Sequence, residues 1–68
     1  MEKIKEFVSY CDIEFEVDGY YCKGSDYDNS GSTIEDAAIF IEGIDVYQIL
    51  STKIWNDIIN LAIQQIED

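Results

Sequence analysis

The chain has 68 residues, with fifteen Asp and Glu against four Lys, no Arg and no His, for a net charge of −11. A chain this short makes one domain and buries only about 60% of its unfolded surface, so it gains from a disulfide, a metal or a partner. Its hydrophobic fraction of 47% and nine aromatic residues exclude compositional disorder, and its charge repels nucleic acid and anionic membrane while attracting cationic partners.

Residues 2–11 place Ile4, Phe7, Val8 and Cys11 at i, i+3, i+4 and i+7, which predicts a short N-terminal helix. The same stretch also tolerates a strand. It has two lysines but no apolar core or cleavage site after them, so no signal peptide is expected. No apolar run approaches the ~20 residues of a membrane span. The expectation is a soluble, cytoplasmic protein, in the host cytoplasm if phage-encoded.

Residues 12–23 predict a β-hairpin. Ile13, Phe15 and Val17 alternate with Asp12, Glu14 and Glu16, and Asp18-Gly19 is a two-residue turn signal. That register sets Val17 opposite Tyr20, Phe15 opposite Cys22 and Glu14 opposite Lys23, with Tyr20 and Cys22 inward and Tyr21 outward. Cys11 would then face Asp26, roughly 13 Å from Cys22 along the sheet. That is beyond disulfide reach, so two buried free thiols are expected, as in a reducing compartment.

Residues 24–33 form a polar loop and 34–42 a strand, with Ile39 and Ile41 on one face and Ala38 and Phe40 on the other. Asp45, with Gln48 three residues on, starts a short helical turn over 46–50. Ser51 or Thr52 caps a helix over 53–67. Its apolar band, from Ile54 and Trp55 to Ile66, is wider than the ~100° stripe that one sheet face requires. The surplus suits the N-terminal helix or another subunit, including a homodimer. The fold class is α+β: a small antiparallel sheet of about three strands, a C-terminal amphipathic helix on one face and the short N-terminal helix.

The stretch DYDNSGSTIEDA begins like a calcium loop, with Asp26, Asp28 and Ser30 at positions one, three and five and Gly31 at six. Position twelve, which requires a bidentate Glu, is Ala37. The stretch reads better as a connector, with calcium at Asp26, Asp28 and Ser30 as the weaker alternative. No enzyme and no cofactor are expected. Two cysteines without a histidine make neither a zinc site of known spacing nor a Cys–His pair.

The outward row Asp12, Glu14 and Glu16, with Asp18 just beyond, repeats at about 6.6–6.8 Å and approximates a nucleic-acid backbone's line of charge. Asp26, Asp28, Glu35 and Asp36 add acid, and Tyr21 and Tyr27 lie among them, as aromatics do at interfaces. These ten residues are the candidate contact surface for a basic, nucleic-acid-binding protein. Neither nucleic acid itself nor a membrane is an expected partner.

IFIEGIDVYQILSTKIWNDI, within residues 38–66, resembles the ending of many small bacteriophage proteins: an aliphatic strand, a Gly-Ile-Asp turn, an apolar pair before Ser/Thr, then an amphipathic helix. In size and charge the chain is similar to phage-encoded DNA-mimic inhibitors of the anti-restriction and anti-CRISPR kind. That resemblance implies an inhibitor of a host defence or host enzyme, acting by stoichiometric binding. It carries over no functional residue. The alternative is a small structural or adaptor protein whose helix face, with Leu61, contacts another subunit.

Overall fold

The structure is a computed structural model and describes residues 2–24 and 31–68. Its elements are β1 (Glu2–Tyr10), β2 (Ile13–Cys22), β3 (Thr33–Ile41), β4 (Ile44–Asp45) and α1 (Thr52–Glu67). The strands form one antiparallel sheet in the order β1-β2-β3-β4, and α1 packs on one of its faces. The class is α+β as expected, with four strands rather than about three.

Residues 2–10 are a strand and not a helix. A helix of that length is marginal alone. As a strand it pairs along its whole length with β2, from Glu2↔Tyr21 to Tyr10↔Ile13. The period of two wins: Ile4, Val8 and Tyr10 reach the core on one face, and Phe7 goes to the other.

The hairpin turn is Cys11–Asp12 and not Asp18–Gly19. Cys11 and Asp12 have φ of 53° and 64°, the left-handed pair that a type I′ turn needs. β2 runs straight through Asp18 and Gly19. Glu14 therefore lies opposite Ser9 instead of Lys23, Phe15 opposite Val8 instead of Cys22, and Val17 opposite Glu6 instead of Tyr20. Tyr20 and Cys22 fall on the helix-free face and Tyr21 on the helix side, the reverse of the expectation. Cys11 is exposed and Cys22 half-buried, both free. They stand at opposite ends of β2, about 30 Å apart along the strand.

Gly19 has a different use. Asp18 pairs with Ala38 but Tyr20 with Glu35, so β3 carries one extra residue here. Asp36 absorbs it at φ 52°, which makes a β-bulge. A Cβ on Gly19 would lie 2.6 Å from Ile34 Cγ2 and 2.9 Å from the Glu35 carbonyl oxygen. Only glycine lets the bulged strand approach this closely.

Glu42 and Gly43, at φ 50° and 82°, make a second tight turn into β4. The expected helical turn over 46–50 begins one step later. Asp45 Oδ1 accepts from Tyr47 N at 2.8 Å, and Ile49 N and Leu50 N both donate to the Val46 carbonyl. Ser51 caps α1, its Oγ accepting from Ile54 N at 3.2 Å. The core is Val8, Phe15, Val17, Ile39, Val46, Ile58 and Ala62. Tyr10 Oη donates to Asp57 at 3.0 Å and Gln65 Nε2 to the Phe7 carbonyl at 3.0 Å, tying α1 to β1 at two points. Among the described residues no helix is long and apolar enough to cross a membrane.

Gly19→Ala should cost about 1–3 kcal/mol, as overpacking does, in urea denaturation. Gly31→Ala, where nothing lies within 4 Å, should change the midpoint little.

Candidate protein-binding surface

Among the described residues one helix covers one face of the sheet and leaves the other open. Alternation along β2 sends Phe15, Val17, Gly19 and Tyr21 to the helix side and Glu14, Glu16, Asp18 and Tyr20 to the open side. The pairing then fixes rows across the open face. They are Lys3–Tyr20–Glu35, Lys5–Asp18–Ala38, Phe7–Glu16–Phe40–Asp45 and Ser9–Glu14. Rows are spaced at about 6.6–6.8 Å and neighbouring strands at about 4.7–4.9 Å.

Charge on this face is polarised. Lys3 and Lys5 lie on β1, while acid runs down β2 and out to Glu35 and Asp45. The nearest ion pair is long, with Lys5 Nζ at 4.0 Å from Glu16 Oε2. Asp18 Oδ1 is buried and has no hydrogen-bond partner among the described residues. Asp18 is a mid-strand residue and not a hairpin tip.

The structure thus brings Glu14, Glu16, Asp18 and Glu35 together, with Asp12 exposed in the turn at one end. Asp36 sits in the bulge, exposed. Tyr21 does not join them: it is on the helix side, and its hydroxyl donates to Glu67 at 2.5 Å. Asp26, Tyr27 and Asp28, and with them the calcium candidates Asp26, Asp28 and Ser30, lie outside the described residues. Among the described residues no group of three His, Cys, Asp or Glu side chains is placed to hold a metal ion.

Sequence reasoning missed the aromatic side chains on this face. Phe7 is 51% and Tyr20 39% exposed, and Phe40 is half-buried. Phe7 and Phe40 flank Glu16 in one row. The signal was the isolated Phe in the set Lys3, Lys5, Phe7, Ser9, readable only once residues 2–10 are taken as a strand.

The apolar surplus expected on α1 is elsewhere too. Leu61 is half-buried against the core. Ile44, Tyr47 and Ile49, just before the helix, are 67%, 65% and 77% exposed. The Tyr47 ring meets Trp55 edge-on, with centroids 5.3 Å apart.

On the helix side two carboxylates are held by hydrogen bonds. Asp57 accepts from Lys53 Nζ at 2.9 Å and from Tyr10, which together lower its pKa and raise those of Lys53 and Tyr10. Glu67 accepts from the Ser32 and Tyr21 hydroxyls, which lower its pKa. Ser32 Oγ also accepts from Gly24 N at 3.0 Å. Glu67 therefore ties the end of the helix to the chain leaving β2 and entering β3. The chain matches no family model, no curated protein and no solved structure.

A carboxyl whose folded pKa is depressed stabilises the fold above its unfolded pKa and loses that contribution as pH falls through the folded value. Wild type should therefore exceed Glu67→Gln in melting temperature at pH 7, and the gap should close below the ordinary Glu value of 4.5. Taking the difference between the two proteins cancels the general relief of self-repulsion that acid brings to a chain of this charge.

Proposed function

We propose that the protein is a non-enzymatic inhibitor that occupies the basic groove in which a larger protein holds nucleic acid. The observation that carries this is the open sheet face, where Glu14, Glu16, Asp18, Glu35 and Asp45 share a surface over which no element packs among the described residues. Alternate β2 residues repeat at about 6.6–6.8 Å, twice the ~3.4 Å interval of phosphates along one strand. A line of lysines and arginines built to follow a backbone would meet a carboxylate at every second step.

The magnitude of charge supports the same role. Solubility of a small domain calls for a net charge of roughly 2–8 in magnitude, and this chain carries −11. The excess accelerates encounter with a cationic partner through long-range attraction. Inhibition of a host defence or DNA/RNA-processing protein, in the host cytoplasm, is the setting that the resemblance to phage inhibitors suggests.

The test compares wild type with Glu14→Lys/Glu16→Lys as bait, with a salt gradient for elution. The captured protein is then challenged with its own nucleic acid. A nucleic-acid-binding protein should elute early in salt, bind the variant at least about tenfold more weakly and lose nucleic acid to the wild-type protein. Equal capture by both baits, resistant to salt, would sink the proposal.

A second role, as an adaptor or homodimer, is favoured by the exposed Ile44, Tyr47 and Ile49. There the acid only solubilises. Association would then survive or strengthen with salt, because screening relieves repulsion between acidic chains. Sedimentation of wild type beside Ile49→Asp checks this: the adaptor role requires the variant to lose its partner, and Glu14→Lys/Glu16→Lys to keep it.

A further inference from the structure

We infer that the cleft between Phe7 and Phe40 is an arginine site, in which a partner's guanidinium sits against Glu16 between the two rings. The site rests on the binding role proposed for the open face and specifies which cation that face selects. Phe7, Glu16 and Phe40 line one groove on the face, and Asp12, Glu14 and Glu42 ring it with acid. The pairing is direct on both sides, Phe7↔Glu16 and Glu16↔Phe40. The two phenylalanines are therefore two strands apart, roughly 9.4–9.8 Å at the backbone. Side chains stand roughly perpendicular to a sheet, so that separation is the width open to one planar group. Glu16 forms the floor, its side chain only 23% exposed.

The chemistry of the walls chooses the cation. An aromatic face attracts a cation through its quadrupole, most strongly where water is excluded. Guanidinium is planar and weakly hydrated, stacks on rings and bonds a carboxylate through two parallel N–H groups. An ammonium is compact and strongly hydrated, and gains less from two rings than it loses in water. Lys5 competes poorly for Glu16, because its Nζ stands 4.0 Å away and its side chain is 61% exposed. The face as a whole takes any basic surface, while this row discriminates arginine from lysine.

The full chain is titrated with nona-arginine and with nona-lysine at low ionic strength, followed by calorimetry. Wild type should bind the arginine peptide about 3- to 30-fold more tightly, the range that cation–ring contacts supply. Phe7→Leu/Phe40→Leu, which keeps the charge and most of the apolar surface, should lose that preference and hold nona-lysine unchanged. Glu16→Gln should weaken both peptides. Ring-proton shifts of Phe7 and Phe40 in the wild-type protein supply a readout that needs no variant to fold. They should move with nona-arginine and not with nona-lysine.

Equal affinity for the two peptides, or a preference that survives Phe7→Leu/Phe40→Leu, would overturn the arginine site. If binding were still lost in Glu14→Lys/Glu16→Lys, the acidic face would stand as a binding surface without it. If wild type bound neither peptide, the acidic face and the arginine site would both fall.

Discussion

Everything on the open face follows from the tight turn at Cys11–Asp12. Two consecutive residues in the left-handed region close a hairpin with no slack, so one pairing, Tyr10↔Ile13, sets the other eight between β1 and β2. Because side chains alternate strictly, a shift of one residue would send Phe7 to the helix and Val8 to solvent. The core forbids that exchange: Val8 meets Phe15 and the helix, and both are almost fully buried. Burial on one face therefore dictates the composition of the other.

The described residues then supply one helix for a two-faced sheet. Ile58 and Ala62 sit at the bottom of the helix contact, and Asp57 and Gln65 tie it over β1. Among the described residues nothing covers the far side. Charge is what such a surface ordinarily carries, and it also discourages pairing at the sheet's edges. Here the acid is concentrated on β2 and outward, and the two lysines of the face are confined to β1. That separation gives the face a direction, which a uniformly solubilising surface would not need.

Much of this was legible in the residues. The alternation of Ile13, Phe15 and Val17 against Glu14 and Glu16 holds in the structure, as do the Ser51 cap and the long terminal helix, because each is a local pattern. The misplaced hairpin came from a cue with two physical causes. Asp-Gly favours a tight turn, but glycine also permits close backbone approach, and Gly19 serves the bulge at Asp36. The turn that forms uses Cys11 and Asp12; aspartate tolerates the left-handed region, but without a glycine beside it the cue is weaker than Asp18-Gly19. Residues 2–10 fitted both periods, and only the partner strand decides between them. The carboxylate row survived these errors because it depends on β2 alone. The aromatic side chains beside it were invisible because their positions depend on two registers.

The pairing of phenylalanine with carboxylate is what would separate a binding face, as proposed, from a merely solubilising one. A surface designed only to stay in water has no use for a Phe that is half exposed, since exposed aromatic area promotes association. A surface designed only to pack would not set Glu16 beside a phenylalanine on each neighbouring strand, since its ion pair to Lys5 is long and a carboxylate beside apolar groups is costly without a close counter-charge. Both features gain together when a cation arrives, because it satisfies the carboxylate and covers the rings in one step. Solubility requires the acid and tolerates the rings at a cost, whereas a cation-binding face requires both in one row, and one row is where the register puts them.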